Sequence, residues 1–268
     1  MYNRLLIPVS QAADVEPMIR FAASLLDADG EIRVLHVIPT STLVELTREW
    51  RASVNIVVPA HETGAALDLR VDPEVRSAPD VPGEILDTIQ THNVDGVLMT
   101  LRGSKRSRNP FLGHTASAIL HHATSDVLII NRLALVEPKP RRILIPRFGS
   151  NTPPRALQIA EELAVRHHGV PIIALAITPR GHPQPQEDEP ARSPRGIPLE
   201  HRHTFLSHAI VGRRKRLPEK ILSEAARERF GFLVVGEEPA HGEGPLLTRS
   251  FLEELFRSAP CPVLAVRD

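Results

Sequence analysis

One cysteine, Cys261, stands in 268 residues. No disulfide can form within the chain, and a cytoplasmic setting is the expectation. Aromatic residues make up 4%, with a single Trp50 and a single Tyr2, too little π surface for stacking nucleic-acid bases. Neither sign of charge is in excess, since 32 Lys and Arg balance 32 Asp and Glu. No global field therefore draws the chain to a polyanion, and a nucleic-acid partner is not expected. No run approaches the roughly 18 consecutive apolar residues of a membrane span, so membrane insertion is not expected either. The opening Met1–Pro8 offers only Leu5-Leu6-Ile7 before its proline, well short of a signal peptide's apolar core. What is present, 42% hydrophobic and 24% charged residues, suits a globular protein with room for two domains.

The sequence repeats itself. Leu5-Leu6-Ile7-Pro8 returns as Ile143-Leu144-Ile145-Pro146, an offset of 138, and the run Ala123–Ile130 returns as Ala259–Val266, an offset of 136. Matches that open and close each half at nearly one offset predict a duplicated domain. The halves are 1–136 and 141–268, and the stretch Val136–Arg141, with Pro138 and Pro140, suits a short stiff connector. The first half carries 12 basic and 16 acidic residues and the remainder 20 and 16.

Within each half, short apolar runs alternate with helical periodicity. Strands are predicted at Leu5–Val9, Ile32–Ile38, Ala66–Arg76, Val94–Thr100 and Val127–Asn131. Helices are predicted at Pro17–Leu26, opening on its proline, at Pro82–His92 and at Gly113–His122. A further helix is expected up to Ala52, with irregular chain from there to Gly64. The second half repeats the series as Arg142–Pro146, Pro154–His168, Val170–Ile177, Thr204–Val211, Leu217–Phe230, Phe232–Gly236, Arg249–Ser258 and Val263–Val266. Such alternation predicts an α/β fold with a doubly wound parallel sheet. Pro179–Pro198 holds six prolines among polar residues and reads as a surface loop.

These features, above all Asp95-Gly96-Val97-Leu98-Met99-Thr100 and Ala259-Pro260-Cys261-Pro262-Val263-Leu264, resemble a tandem of universal stress protein domains. The pairing also resembles the paired soluble tails of amino-acid-permease-type transporters. The resemblance implies two doubly wound domains, each a five-stranded parallel sheet in the order 3-2-1-4-5 with helices on both faces. Nucleotide-binding members of that family carry Gly-x2-Gly-x9-Gly-Ser/Thr after strand four. Glycines there let backbone N–H groups approach phosphate oxygens, and a helix N-terminus adds its dipole.

Here those positions are Thr100, Gly103, Gly113 and His114, with Thr115 the nearest hydroxyl and Arg102 a neighbouring cation. The end of strand one, Pro8-Val9-Ser10, has Ser10 where the family uses an aspartate, and Val37 stands at the position whose backbone meets adenine. The second half has Gly236, Pro239, Arg249 and Ser250, with Phe148 and Ala176 at the other two places. Pro239 removes a donor and Phe148 a polar group, so a nucleotide is expected in the first half alone. The alternative is that Gly103 and Gly113 merely turn the chain. Lys105, Arg106 and Arg108 favour an anion, although such a cluster also reads as a solvated loop.

Implied by the resemblance is a cytoplasmic, non-catalytic stress-response or regulatory protein, with ATP or another adenine nucleotide as ligand and no metal. The halves would pair through their closing strands, with a homodimer and a protein partner as further expectations. Two rivals stay open: a ligand-free interaction module that regulates a transporter or other partner, and a weak ATP-hydrolysing enzyme using His114. No Walker A loop and no Gly-x-Ser-x-Gly elbow is present. His201, His203 and His208 have no cysteine and no convincing acidic partner nearby for a metal site. Arg213-Arg214-Lys215-Arg216 lacks interleaved aromatics and reads as solvated chain ahead of a helix. Cys261 between two prolines reads as buried filler.

Overall fold

An apolar run too short for a helix core, such as Leu5-Leu6-Ile7, is buried on both faces when it becomes a parallel strand between layers of helices. The computed structural model, which describes residues 1–40, 43–101, 113–131, 141–148, 154–179, 205–212, 216–236 and 249–267, shows this arrangement twice. The described residues fall into two compact units, 1–101 with 113–131 in the first and 141–267 in the second.

The first unit runs β1 (Tyr2–Pro8), α1 (Ala12–Ala23), β2 (Leu26–Ile38), α2 (Leu43–Ala52), α3 (Val54–Ala66), β3 (Arg70–Ser77), α4 (Val81–Thr91), β4 (Gly96–Leu101), α5 (His114–His122) and β5 (Asp126–Asn131). β1 pairs in parallel with both β2 and β4, β2 with β3, and β4 with β5. The second unit runs β6 (Ile143–Phe148), α6 (Pro154–Arg166), β7 (Ile172–Pro179), β8 (Phe205–Gly212), α7 (Leu217–Arg227), β9 (Phe232–Gly236), α8 (Arg249–Ser258) and β10 (Val263–Val266). There β6 pairs with β7 and β9, β7 with β8, and β9 with β10, again all parallel.

The internal repeat is visible at the level of register. Leu5 faces Gly96 and Leu6 faces Val97, while Ile143 faces Phe232 and Leu144 faces Leu233. The Asp95 N–H donates to the Arg4 carbonyl at 3.1 Å, and the Gly231 N–H to the Arg142 carbonyl at 2.9 Å. Side chains around this contact have diverged. In the first unit the Asp95 carboxylate accepts the backbone N–H groups of Asn3 and Arg4 at 2.8 and 3.0 Å, and the buried Tyr2 hydroxyl donates to Asp126 at 2.9 Å. Gly96 is held to glycine by packing, because a Cβ there would lie 2.7 Å from Leu5 Cδ2 and 2.9 Å from Tyr2 Cδ1. These contacts pin the amino-terminal edge of the sheet and leave the opposite edge to the loops.

Two expectations are corrected. Pro17 does not open its helix but lies inside α1, which begins at Ala12. Val15, Met18, Ile19 and Ala22 form one buried face, and burying Val15 with that face extends the helix ahead of the proline. Beyond Ala52 the chain is helical rather than irregular, for α3 spans Val54–Ala66 with Pro59 inside it. Its buried face is Ile56 with the small residues Ala60, Thr63 and Gly64, which leave a weak hydrophobic period in the sequence. They let α3 lie close to the sheet, since a Cβ on Gly64 would stand 2.8 Å from Val71 Cγ2. Of the proposed Pro179–Pro198 loop, Pro179 ends β7 and residues 180–198 lie outside the described residues. Residues 136–140 of the connector lie outside them as well.

Candidate functional site

In an open parallel sheet, ligands settle outside the carboxyl ends of the strands where successive connections leave in opposite directions. In the first unit that point lies between β1 and β4, with β2 and β3 on one side of β1 and β4 and β5 on the other. Pro8 faces Leu35 and Leu6 faces Val97. Continued by one to three residues, this register sets Val9, His36 and Thr100 in a row across the carboxyl edge.

Val9 is buried and rigidly held. Its N–H donates to the Leu35 carbonyl at 2.8 Å, and its carbonyl lies 2.9 Å from His36 Nδ1, the ring N–H donating. His36 escaped the sequence reading. A histidine inside the apolar run Val34–Ile38 was the signal; it is half-buried, and its work is to fix the turn that carries Ser10. Pro8 is half-buried at the end of β1, and Ser10 is exposed at the bend that follows. Val37 is buried at the carboxyl end of β2, opposite Arg76 of β3. Arg76 in turn bonds Glu74 at 2.6 Å and Glu84 of α4 at 2.7 Å, which ties β3 to α4. Burial works to raise the Glu74 carboxyl, but the bond and charge of Arg76 outweigh it and hold the group below its usual range.

Thr100 is half-buried near the end of β4. Arg102 and Gly103 lie outside the described residues, with Lys105, Arg106 and Arg108. The chain re-enters at Gly113, which caps α5 with φ 79° and ψ 151°, a conformation nearly reserved for glycine. A Cβ built there would meet nothing within 4 Å, so backbone conformation rather than space demands the glycine. The first helical bond runs from the Ser117 N–H to the Gly113 carbonyl at 3.0 Å. The N–H groups of His114, Thr115 and Ala116 therefore precede the hydrogen-bonded ladder, and Gly113, as the N-cap residue, has no side chain to cap them. His114 is exposed and Thr115 half-buried. Because α5 returns the chain from β4 to the parallel β5, its N-terminus stands at the carboxyl edge, beside the row just described. That end carries partial positive charge and outward donors, which suit an anion.

The second unit has other chemistry at the same places. Arg147, where the first unit has Val9, is 8% exposed, and burial lowers the pKa of its guanidinium. Phe148 ends β6, Ala176 is buried in β7, and Gly236 is buried at the end of β9. Arg249 and Ser250 open α8, while Pro239 lies outside the described residues. The buried arginine was also missed, and its place directly after the repeated Ile-Leu-Ile-Pro run was the signal for it. Among the described residues no group of three or more His, Cys, Asp and Glu is placed to hold a metal, and His201 and His203 lie outside them. Among the described residues no helix is long and apolar enough to cross a membrane.

Two units, each built on parallel strands, with a glycine-capped helix at the switch point of the first, define a tandem α/β protein with a nucleotide-binding type of fold. The universal stress protein family model matches residues 1–131 and again 139–267, and the chain belongs to that family. It superposes on a universal stress protein from Archaeoglobus fulgidus DSM 4304 with a TM-score of 0.73 at 17% identity, covering 99% of this chain and 98% of the other. The cytoplasmic domain of a prokaryotic cation chloride cotransporter superposes with a TM-score of 0.58 at 10% identity, covering 100% and 96%. At such identities the likeness is one of fold. No curated protein matches the sequence significantly.

Proposed function

We propose that this protein is a non-catalytic, cytoplasmic stress-response regulator whose first domain, residues 1–136, binds an adenine nucleotide while its second, residues 141–268, binds none. The observation that carries the reading is the α5 N-terminus, where Gly113 holds a conformation other residues avoid and, as the N-cap residue, brings no side chain to the N–H groups that lead the helix. Phosphates would meet the N–H groups of Gly113, His114 and Thr115, with Gly103, Thr100 and Arg102 completing the cradle. The ribose would lie by Pro8, Val9 and Ser10, and the adenine against the backbone at Val37. In the second domain a desolvated guanidinium, Arg147, stands at the matching level, and Arg249 and Pro239 replace two glycines. A helix N-terminus and three or four hydrogen bonds to phosphate support micromolar affinity.

Isothermal titration of ATP, ADP and AMP tests this, with one site per chain as the expected result. Two sites would remove the asymmetry, and heat-silent mixing together with no thermal shift would remove the ligand. A second reading, a ligand-free module acting on a transporter or other partner, draws its support from the full-length likeness to the cotransporter domain. It predicts no nucleotide response at all.

A further inference from the structure

Four large apolar side chains are exposed among the described residues, and three of them lie in one stripe: Trp50 at 52%, Val54 at 55% and Val58 at 45%. They sit at i, i+4 and i+8. The stripe stays on one face because Ser53, between α2 and α3, keeps right-handed helical angles of −64° and −18°. Its N–H donates to the Glu49 carbonyl at 2.9 Å, and the Val57 N–H donates to the Ser53 carbonyl at 3.0 Å. Below this stripe the helix pair is already committed, with Ile56, Ala60 and Gly64 facing inward. The outer stripe is therefore surplus to the core. Contiguous exposed apolar surface of this kind, unlike apolar residues scattered singly, marks a contact surface.

Charge indicates the occupant. Exposed Arg51 flanks the amino-terminal end of the stripe, and exposed Glu62 continues it one turn beyond Val58. We propose that this face is a two-fold interface with a second copy of the chain, the two stripes packed antiparallel. An axis at the level of Ile56 sets Val54 against Val58 of the second copy. Trp50 and Arg51 then meet Glu62 and His61, so opposite charges fall together at both ends. A parallel pairing would set Arg51 on Arg51 and Glu62 on Glu62. The antiparallel contact is isologous, as closed two-fold symmetry requires. Its anchor, a tryptophan, is the residue type that most often dominates an interface. The helical path of residues 43–66 is about 36 Å long at 1.5 Å per residue, and one helix face of that length belongs to the small, weak class of interfaces.

The test uses the whole chain, whose only tryptophan is Trp50. Sedimentation and tryptophan emission are followed together from about 1 to 300 μM, the range in which weak dimers form. Dimerisation with a blue shift of the emission on the same concentration scale is expected. The double change Val54→Glu, Val58→Glu weakens association at least tenfold. Glu62→Arg weakens it about fivefold, and adding Arg51→Glu restores it. A chain that stays monomeric throughout overturns the proposal. So does a dimer with unshifted emission, one indifferent to the valine changes, or a charge swap that fails to rescue. These residues lie on the protein surface, and circular dichroism establishes that each variant is folded.

Discussion

Replacing Gly113 by valine separates a glycine that shapes a phosphate cradle from one that only turns the chain. At φ 79° and ψ 151° a residue with a Cβ costs about 1–3 kcal/mol. Among the described residues a Cβ at this position meets nothing within 4 Å, so backbone conformation is the source of that cost. Partial relaxation of the backbone leaves part of that cost in place and turns the N–H groups at the start of α5 away from the edge. Loss of one charged hydrogen bond to phosphate costs about 1.5–3 kcal/mol, roughly ten- to a hundredfold in affinity. Gly169 supplies the control, for it has φ 78°, equally open space, and a place after α6 where its N–H donates to the Ala164 carbonyl at 2.7 Å. Urea unfolding and ATP calorimetry on Gly113→Val and Gly169→Val should show both variants destabilised and only the first impaired in binding. Unchanged affinity in Gly113→Val refutes the assignment of the site, and unchanged stability refutes the argument from backbone conformation.

Gly96→Ala should lower stability by about 1–3 kcal/mol, because its methyl would press on Leu5 and on a Tyr2 ring whose hydroxyl is tied to Asp126. A shift within about 0.5 kcal/mol in urea would mean that this edge of the core repacks freely. His167 lies beside Phe232 with no hydrogen-bond partner on Nε2, and burial, then the charges of His168 and Arg166, lower its pKa. A lowered histidine leaves the unfolded chain holding more protons, so stability is present above the ordinary value of 6.5 and is lost as pH falls from there through the folded value. His167→Phe should flatten the fall in melting temperature below that pH, and an unchanged slope would assign it to other groups. Cys261 is 4% exposed, and burial pushes its thiol up to about 12. A disulfide reagent at pH 8 should label it only as the second unit opens, with a rate that climbs in denaturant. Rapid full labelling of the native protein would show that the closing strand is open to solvent.

Much of the fold was legible because two local signals coincide. Short apolar runs such as Phe232–Gly236 and Val263–Val266 can be little other than buried strands, and these two begin and end where the spacing placed them. The offset of 136 to 138 between the halves carried the duplication, which the paired registers of β1–β4 and β6–β9 repeat. Sequence alone went astray where a helix face is built from small residues, as in α3, or where a buried neighbour such as Val15 outweighs a proline's local preference in α1. Composition and spacing determined the α/β class and the repeat, and the resemblance to the family singled out the glycine at position 113. Only tertiary structure decided that Gly113 holds a conformation other residues avoid, that His36 clamps Val9, that Arg147 is buried at the matching level of the second unit, and that Trp50, Val54 and Val58 face outward. The reason is physical. Periodicity reports which residues are apolar, whereas backbone torsion, hydrogen-bond partners and exposure depend on what the chain brings against them from far along the sequence.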